Sequence, residues 1–122
     1  MTENTTGRPK VMLVSVDIGE YDAERSIEEL SALCDTAGAD VAAVVTQKRP
    51  SYDNATCIGS GRLEEMAQLC ESLEIDQVIF DCELTGTQIR NIEDVTDTYT
   101  IDRTMLILDI FAQRATTREG KL

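Results

Sequence analysis

Two glycines flanking a serine, with arginine next, give Thr56-Cys57-Ile58-Gly59-Ser60-Gly61-Arg62-Leu63 the clearest chemical potential in this 122-residue sequence. Glycine lets another chain or a ligand come close to the backbone. A helix starting here would leave N–H groups at the positive end of its dipole, where anionic oxygens can sit. Gly59, Ser60, Gly61 and Arg62 are therefore candidate phosphate-binding residues. The same residues also suit a tight turn in which Ser60 caps the following helix. Upstream, Lys48 and Arg49 lie in the polar segment from Gln47 to Ile58, which is long for a strand-to-helix connection. With Arg62 they gather three cations near one helix start. Such a spot can contact a polyanion or pair with surrounding carboxylates.

Other chemistry is sparser. Cys34, Cys57, Cys70 and Cys82 are spread along the chain with no C-x-x-C pair, and there is no histidine to complete a zinc set. Cys34 and Cys70 fall on apolar helix faces and read as small core residues in a reducing compartment. No motif pairs a nucleophile with a base, so no catalytic residue and no metal ligand is predicted. The balance of 23 acidic to 11 basic residues gives a formal charge of −12. That charge repels nucleic acid on average, so any RNA contact must be local. No apolar run approaches the roughly 20 residues that span a bilayer, and no secretory signal opens the chain, which predicts a cytoplasmic protein without a membrane partner.

The elements that must position these residues alternate in type. Val11-Met-Leu-Val-Ser-Val-Asp-Ile18 is a nearly continuous apolar run, as in a strand covered on both faces. A helix follows from Asp22, a plausible cap, with Ile27, Leu30, Cys34 and Ala37 on one stripe and Gly38 at its end. Val41 to Thr46 is a second buried strand, and Leu63, Met66, Ala67, Cys70 and Leu73 make a second helical stripe. Gln77 to Asp81 is the third strand. Thr85 and Gln88 have capping-box spacing ahead of Ile89, Ile92 and Val95. Tyr99 to Ile101 is a short fourth strand, and Asp102 caps a last helix whose residues from Met105 to Ala112 are apolar almost all the way round. The fold class is α/β: a small parallel four-stranded sheet, order 2-1-3-4, with helices on both faces. Asp17, the Gln47–Gly61 loop, Asp81 to Leu84 and Asp102 then gather at the carboxyl edge of the strands, where such sheets bind ligands. Residues 1–9 read as a flexible arm, and residues 10–122 as one domain.

In their common order, Ile58 to Arg62, Val78-Ile-Phe-Asp-Cys-Glu-Leu84, Gln88-Ile-Arg-Asn91 and Asp102 to Ala115 resemble the amino-terminal domain of HflX-type GTPases. The resemblance spans Val11 to Leu122. It implies an α/β domain that precedes a helical hairpin and a GTPase domain, in proteins that bind the large ribosomal subunit and split or rescue ribosomes. For this part of such proteins it implies ribosome contact, control of the attached GTPase and, in some members, ATP binding. Lys48, Arg49, Arg62 and Phe111 become candidate ribosome or partner contacts. The glycine motif of the family ends in lysine where this chain has Arg62, which keeps the charge in a planar fork. The G-x-x-x-x-G-K-[ST] loop that holds GTP phosphates and magnesium occurs nowhere in the 122 residues. The chain therefore reads as a domain truncated before the hairpin, requiring no cofactor itself, with GTP and magnesium belonging to the missing domain and homo-oligomerisation expected through the uncovered last helix. A competing reading is an adenine-nucleotide-binding domain with weak ATPase activity, in which Gly59, Gly61 and Arg62 hold phosphates and Asp17, Asp81 or Glu83 holds magnesium. A third is a purely structural interaction domain recruiting a partner through the last helix.

Overall fold

The computed structural model describes residues 7–120, with side chains in the last helix described as far as Ile110 and at Ala112. Strands and helices alternate as β1 (Lys10–Asp17), α1 (Ala23–Thr36), β2 (Asp40–Lys48), α2 (Ser60–Leu73), β3 (Gln77–Phe80), α3 (Gly86–Thr96), β4 (Tyr99–Asp102) and α4 (Arg103–Gly120). Every strand pairing is parallel, and the order is β2-β1-β3-β4, as the alternation predicts. Parallel neighbours need long crossovers, which the helices supply. Of the expected arm, residues 1–6 lie outside the described residues. Arg8 pairs with Asp35 at 3.1 Å and with Asp40 at 2.7 Å.

Strand alternation divides the interior into two half-cores. Met12, Val14 and Val16 of β1 face Ile58, Leu63, Met66, Cys70, Phe80 and Ile92, on the side of α2 and α3. Val11 and Leu13 face Leu30, Cys34, Ile79, Ile101 and Leu106, on the side of α1 and α4. β1 is thus buried on both faces from Val11 to Val16, which is why its run is apolar without alternation. Cys34 and Cys70 are buried core residues, as their helical spacing predicts.

Two expectations need correction, at β2 and α3, while α4 is covered on one face as expected. β2 is not a buried strand: it lies at the sheet edge, Val45 alone among its residues is buried, and Val44 is 50% exposed. Apolar composition does not distinguish an edge from a centre. In α3 the inward stripe is Gln88, Ile92 and Thr96, while Val95 points outward at 43% exposure. Two polar residues occupy that stripe because their own hydrogen bonds satisfy them: the Thr96 hydroxyl donates to Ile92 O, and Gln88 closes the capping box with Thr85. In α4 one face is covered, with Leu106 buried and Met105 and Ile110 partly so, whereas Leu108 is 61% exposed.

The capping signals act as read. Asp22 accepts the Arg25 N–H, and Asp102 accepts the Met105 N–H. Among the described residues no helix is long and apolar enough to cross a membrane. Phe80 is fully buried where α2 and α3 close over the sheet. Phe80→Ala is expected to cost about 3–5 kcal/mol in denaturant unfolding, and a loss under about 1 kcal/mol would show that this half-core is not close-packed.

Candidate functional site

From β1 the chain turns outward to β2 on one side, and from β3 to β4 on the other, so a crevice opens between the carboxyl ends of β1 and β3. Asp81 closes it. Its N–H donates to Val14 O, and its buried carboxylate accepts the Tyr21 hydroxyl at 3.1 Å and the Ser26 hydroxyl at 2.9 Å. Burial pushes the Tyr21 phenol up, and the neighbouring Asp81 charge adds to it, so Tyr21 stays a neutral donor. The other strand-end carboxylates are also engaged: Asp17 accepts the Gly19 N–H, and Asp102 accepts the N–H groups of Leu84 and Met105. Among the described residues no group of three or more Cys, Asp or Glu side chains is placed to hold a metal ion.

The connection from β2 to α2 is a built loop. Arg49 N–H donates to Asp17 O, and the Arg49 guanidinium donates to Ser51 O. Asp53 and Cys57 exchange backbone hydrogen bonds at 3.0 and 2.8 Å, and the Asp53 carboxylate accepts the Ala55 and Thr56 N–H groups. Those donors hold the Asp53 carboxyl below the usual carboxylate range. α3 grips the loop from outside: Gln88 Nε2 donates to Asp53 O, and Asn91 Nδ2 donates to Ala55 O. Cys57 is held at φ 67°, a region that residues with a Cβ seldom occupy, before Ile58 enters the core.

At the start of α2 the cap is Gly59, not Ser60, which is the first helical residue and makes no side-chain capping bond. The reason is crowding. Gly59 is buried, its N–H donates to Gln47 Oε1 at 2.9 Å, and a Cβ there would stand 2.8 Å from Arg49 Nη1 and 3.2 Å from Gln47 Nε2. A side chain at position 59 would have to displace the ends of these two side chains. Gly61 faces open space, and the N–H groups of Ser60, Gly61 and Arg62 are those a helix start leaves without intrahelical acceptors.

The three cations surround this start without merging. Lys48 and Arg62 line one cleft of about 720 Å³ together with Asp17, Glu24 and Glu28, and Arg62 also pairs with Glu65 at 3.2 Å. Arg49 reaches Gly59 and lines a second cleft with Lys48 and Asp17. Phe111 belongs to α4, across the sheet with α1, and its side chain lies outside the described residues. Sequence reasoning missed Gln47, the Tyr21–Asp81–Ser26 cluster and a contact between Cys57 and Cys82, whose sulfurs lie 3.4 Å apart. Only the Asp53-Asn-Ala-Thr56 run carried a local signal, as an aspartate-initiated turn.

Residues 24–112 match the family model described as GTP-binding GTPase N-terminal. The chain is 43% identical over 122 residues to the GTPase HflX of Caldanaerobacter subterraneus subsp. tengcongensis, covering 100% of this chain and 28% of that protein. It is 35% identical over 113 residues to the GTPase HflX of Escherichia coli, covering 93% and 26%. The chain thus spans under a third of the length of these relatives. In fold it is similar to a GTP-binding protein of the hyperthermophilic archaeon Sulfolobus solfataricus, solved in complex with GDP, with a TM-score of 0.64, 22% identity, and coverage of 84% of this chain and 30% of that one.

Because Asp53 titrates below its ordinary value, its support of the loop is complete above the unfolded pKa of about 3.9 and is lost as pH falls through the lower folded value. In an acid titration followed by NMR, the Ala55 and Thr56 amide signals are expected to move only below about pH 4. Asp53→Asn is expected to remove that step. A midpoint at or above the free-aspartate value would contradict the turn.

Proposed function

Since this chain belongs to the family of GTP-binding GTPase N-terminal domains, of the HflX type, we propose that it is a non-catalytic ribosome-binding and regulatory module. In this reading it docks on the large ribosomal subunit from the cytoplasm and controls an attached GTPase domain, which holds GTP and magnesium and drives ribosome splitting or rescue. The observation that carries the reading is the placement of Lys48, Arg49 and Arg62. The end of β2, the first residue of the loop and the first turn of α2 bring these cations to one helix start, beside Asp17, Glu24 and Glu28, on a chain whose overall charge is −12. Such a spot contacts phosphates locally while the acidic remainder opposes non-specific RNA binding. ATP binding at Gly59, Ser60, Gly61 and Arg62 is the weaker reading, because Gln47 already takes the Gly59 N–H.

Pelleting with purified large subunits at increasing salt tests this. The wild-type chain is expected to bind in a salt-sensitive way, and changing Lys48, Arg49 and Arg62 to Ala is expected to lower the slope of log affinity against log salt by up to about 3, about one per lost phosphate contact. No salt-sensitive binding by the folded wild type would sink the proposal.

The open flank of α4, marked by Leu108, supports a second expectation, self-association through this helix. Light scattering is expected to give a dimer or larger mass at high concentration, reduced to the monomer mass by Leu108→Lys. A monomeric wild type would remove this interface.

A further inference from the structure

Cys57 comes from the loop before α2, Cys82 from the connection between β3 and α3, and their sulfurs meet at 3.4 Å. We propose that this pair is a modification site for hydroperoxides, which convert it to an intrachain disulfide while Cys34 and Cys70 stay reduced.

Geometry makes the closure small. The sulfurs need approach by only about 1.4 Å to reach bonding distance. Both residues lie outside helices and strands, at the margin of the half-core under α2 and α3, so closure asks for loop adjustment and no shift of a strand or helix. Access is provided from one side. Cys57 is 1% exposed, but Cys82 is partly exposed and lines a cavity of about 430 Å³ with Tyr21, Tyr52 and Asp81, wide enough for a peroxide.

Reactivity favours the same pair. The contact with the Cys82 sulfur holds the Cys57 thiol below its usual range against burial and the Asp81 and Asp53 charges, with Arg49 assisting. The same contact, together with burial, pushes Cys82 up. Cys34 and Cys70 have no sulfur partner: burial pushes Cys34 up to about 11 and also raises Cys70. Neither can close a disulfide of this kind.

The chemistry balances with one peroxide. A thiolate attacks the O–O bond, which breaks; the sulfur keeps OH as a sulfenic acid, and the other oxygen leaves, protonated, as water. The second sulfur then displaces the sulfenic oxygen, which takes the remaining thiol proton and leaves as a second water as the S–S bond closes.

The test treats the folded chain with hydrogen peroxide near neutral pH, blocks remaining thiols with maleimide, and reads intact mass and peptides. Expected are a mass lower by two hydrogens, loss of two of the four maleimide sites, and a peptide linking Cys57 to Cys82 that dithiothreitol releases. The pair is expected to react at least about tenfold faster than Cys34 or Cys70. Cys57→Ser and Cys82→Ser are each expected to abolish the linked peptide. A variant carrying Cys34→Ala and Cys70→Ala is expected to keep the link; if it fails to fold, the wild-type peptide map decides alone. Oxygen adducts without the link, a link through Cys34 or Cys70, or four unreacted thiols in excess peroxide would each overturn the proposal.

Discussion

Burial of β1 on both faces is the constraint on which the rest of the molecule depends. Six consecutive residues, Val11 to Val16, have no access to solvent, so helices must cover both sides of the strand. The chain meets this demand with α2 and α3 over one face and α1 and α4 over the other. Chain paths then diverge where β1 and β3 end, and the resulting gap has to be filled with groups whose polar atoms find partners. Asp81, Tyr21 and Ser26 fill it, each satisfying another. The strand-end carboxylates that resemble a metal or catalytic set in the sequence are therefore the closure of the sheet.

That closure determines what is left for function. With Asp81 and Asp102 bonded internally, this edge presents outward a mixed cleft, in which Lys48 and Arg62 stand beside Asp17, Glu24 and Glu28, and a helix start. Gly59 links the two levels. Its lack of a Cβ admits Arg49 and Gln47, and the Gln47 bond sets where α2 begins. The loop between β2 and α2 is long because it must reach α3, accept bonds from Gln88 and Asn91, and return Ile58 to the core. Membership of a GTPase family is compatible with this arrangement: a domain without a phosphate-binding P-loop can offer a rigid charged surface.

Much of this was legible in the residues. Alternating runs gave the element order and the sheet order, and Asp22, Asp102 and the Thr85–Gln88 pair are local caps that act without tertiary help. Tertiary placement was not legible. Val44 and Val95 are apolar and exposed because β2 is an edge and α3 turns two hydrogen-bonded polar residues inward, and periodicity carries neither fact. Gly59 is bonded by Gln47 of β2 and met by Arg49 of the following loop, twelve and ten residues earlier in the chain. Cys57 and Cys82 are brought together by a loop fold and by the β1–β3 register, so no spacing rule finds them.

The central claim is that the loop from Arg49 to Ile58 is a fixed part of the domain that positions Arg49 beside the start of α2. Native-state hydrogen exchange tests it most directly, at the Asp53, Cys57 and Gly59 amides, which donate to Cys57 O, Asp53 O and Gln47 Oε1. The account requires these amides to be protected and to open together with the first turn of α3, and Gln88→Ala to release the Asp53 and Cys57 amides while β1 stays protected. Exchange at the rates of an unstructured chain, in a protein whose strands remain closed, would contradict it.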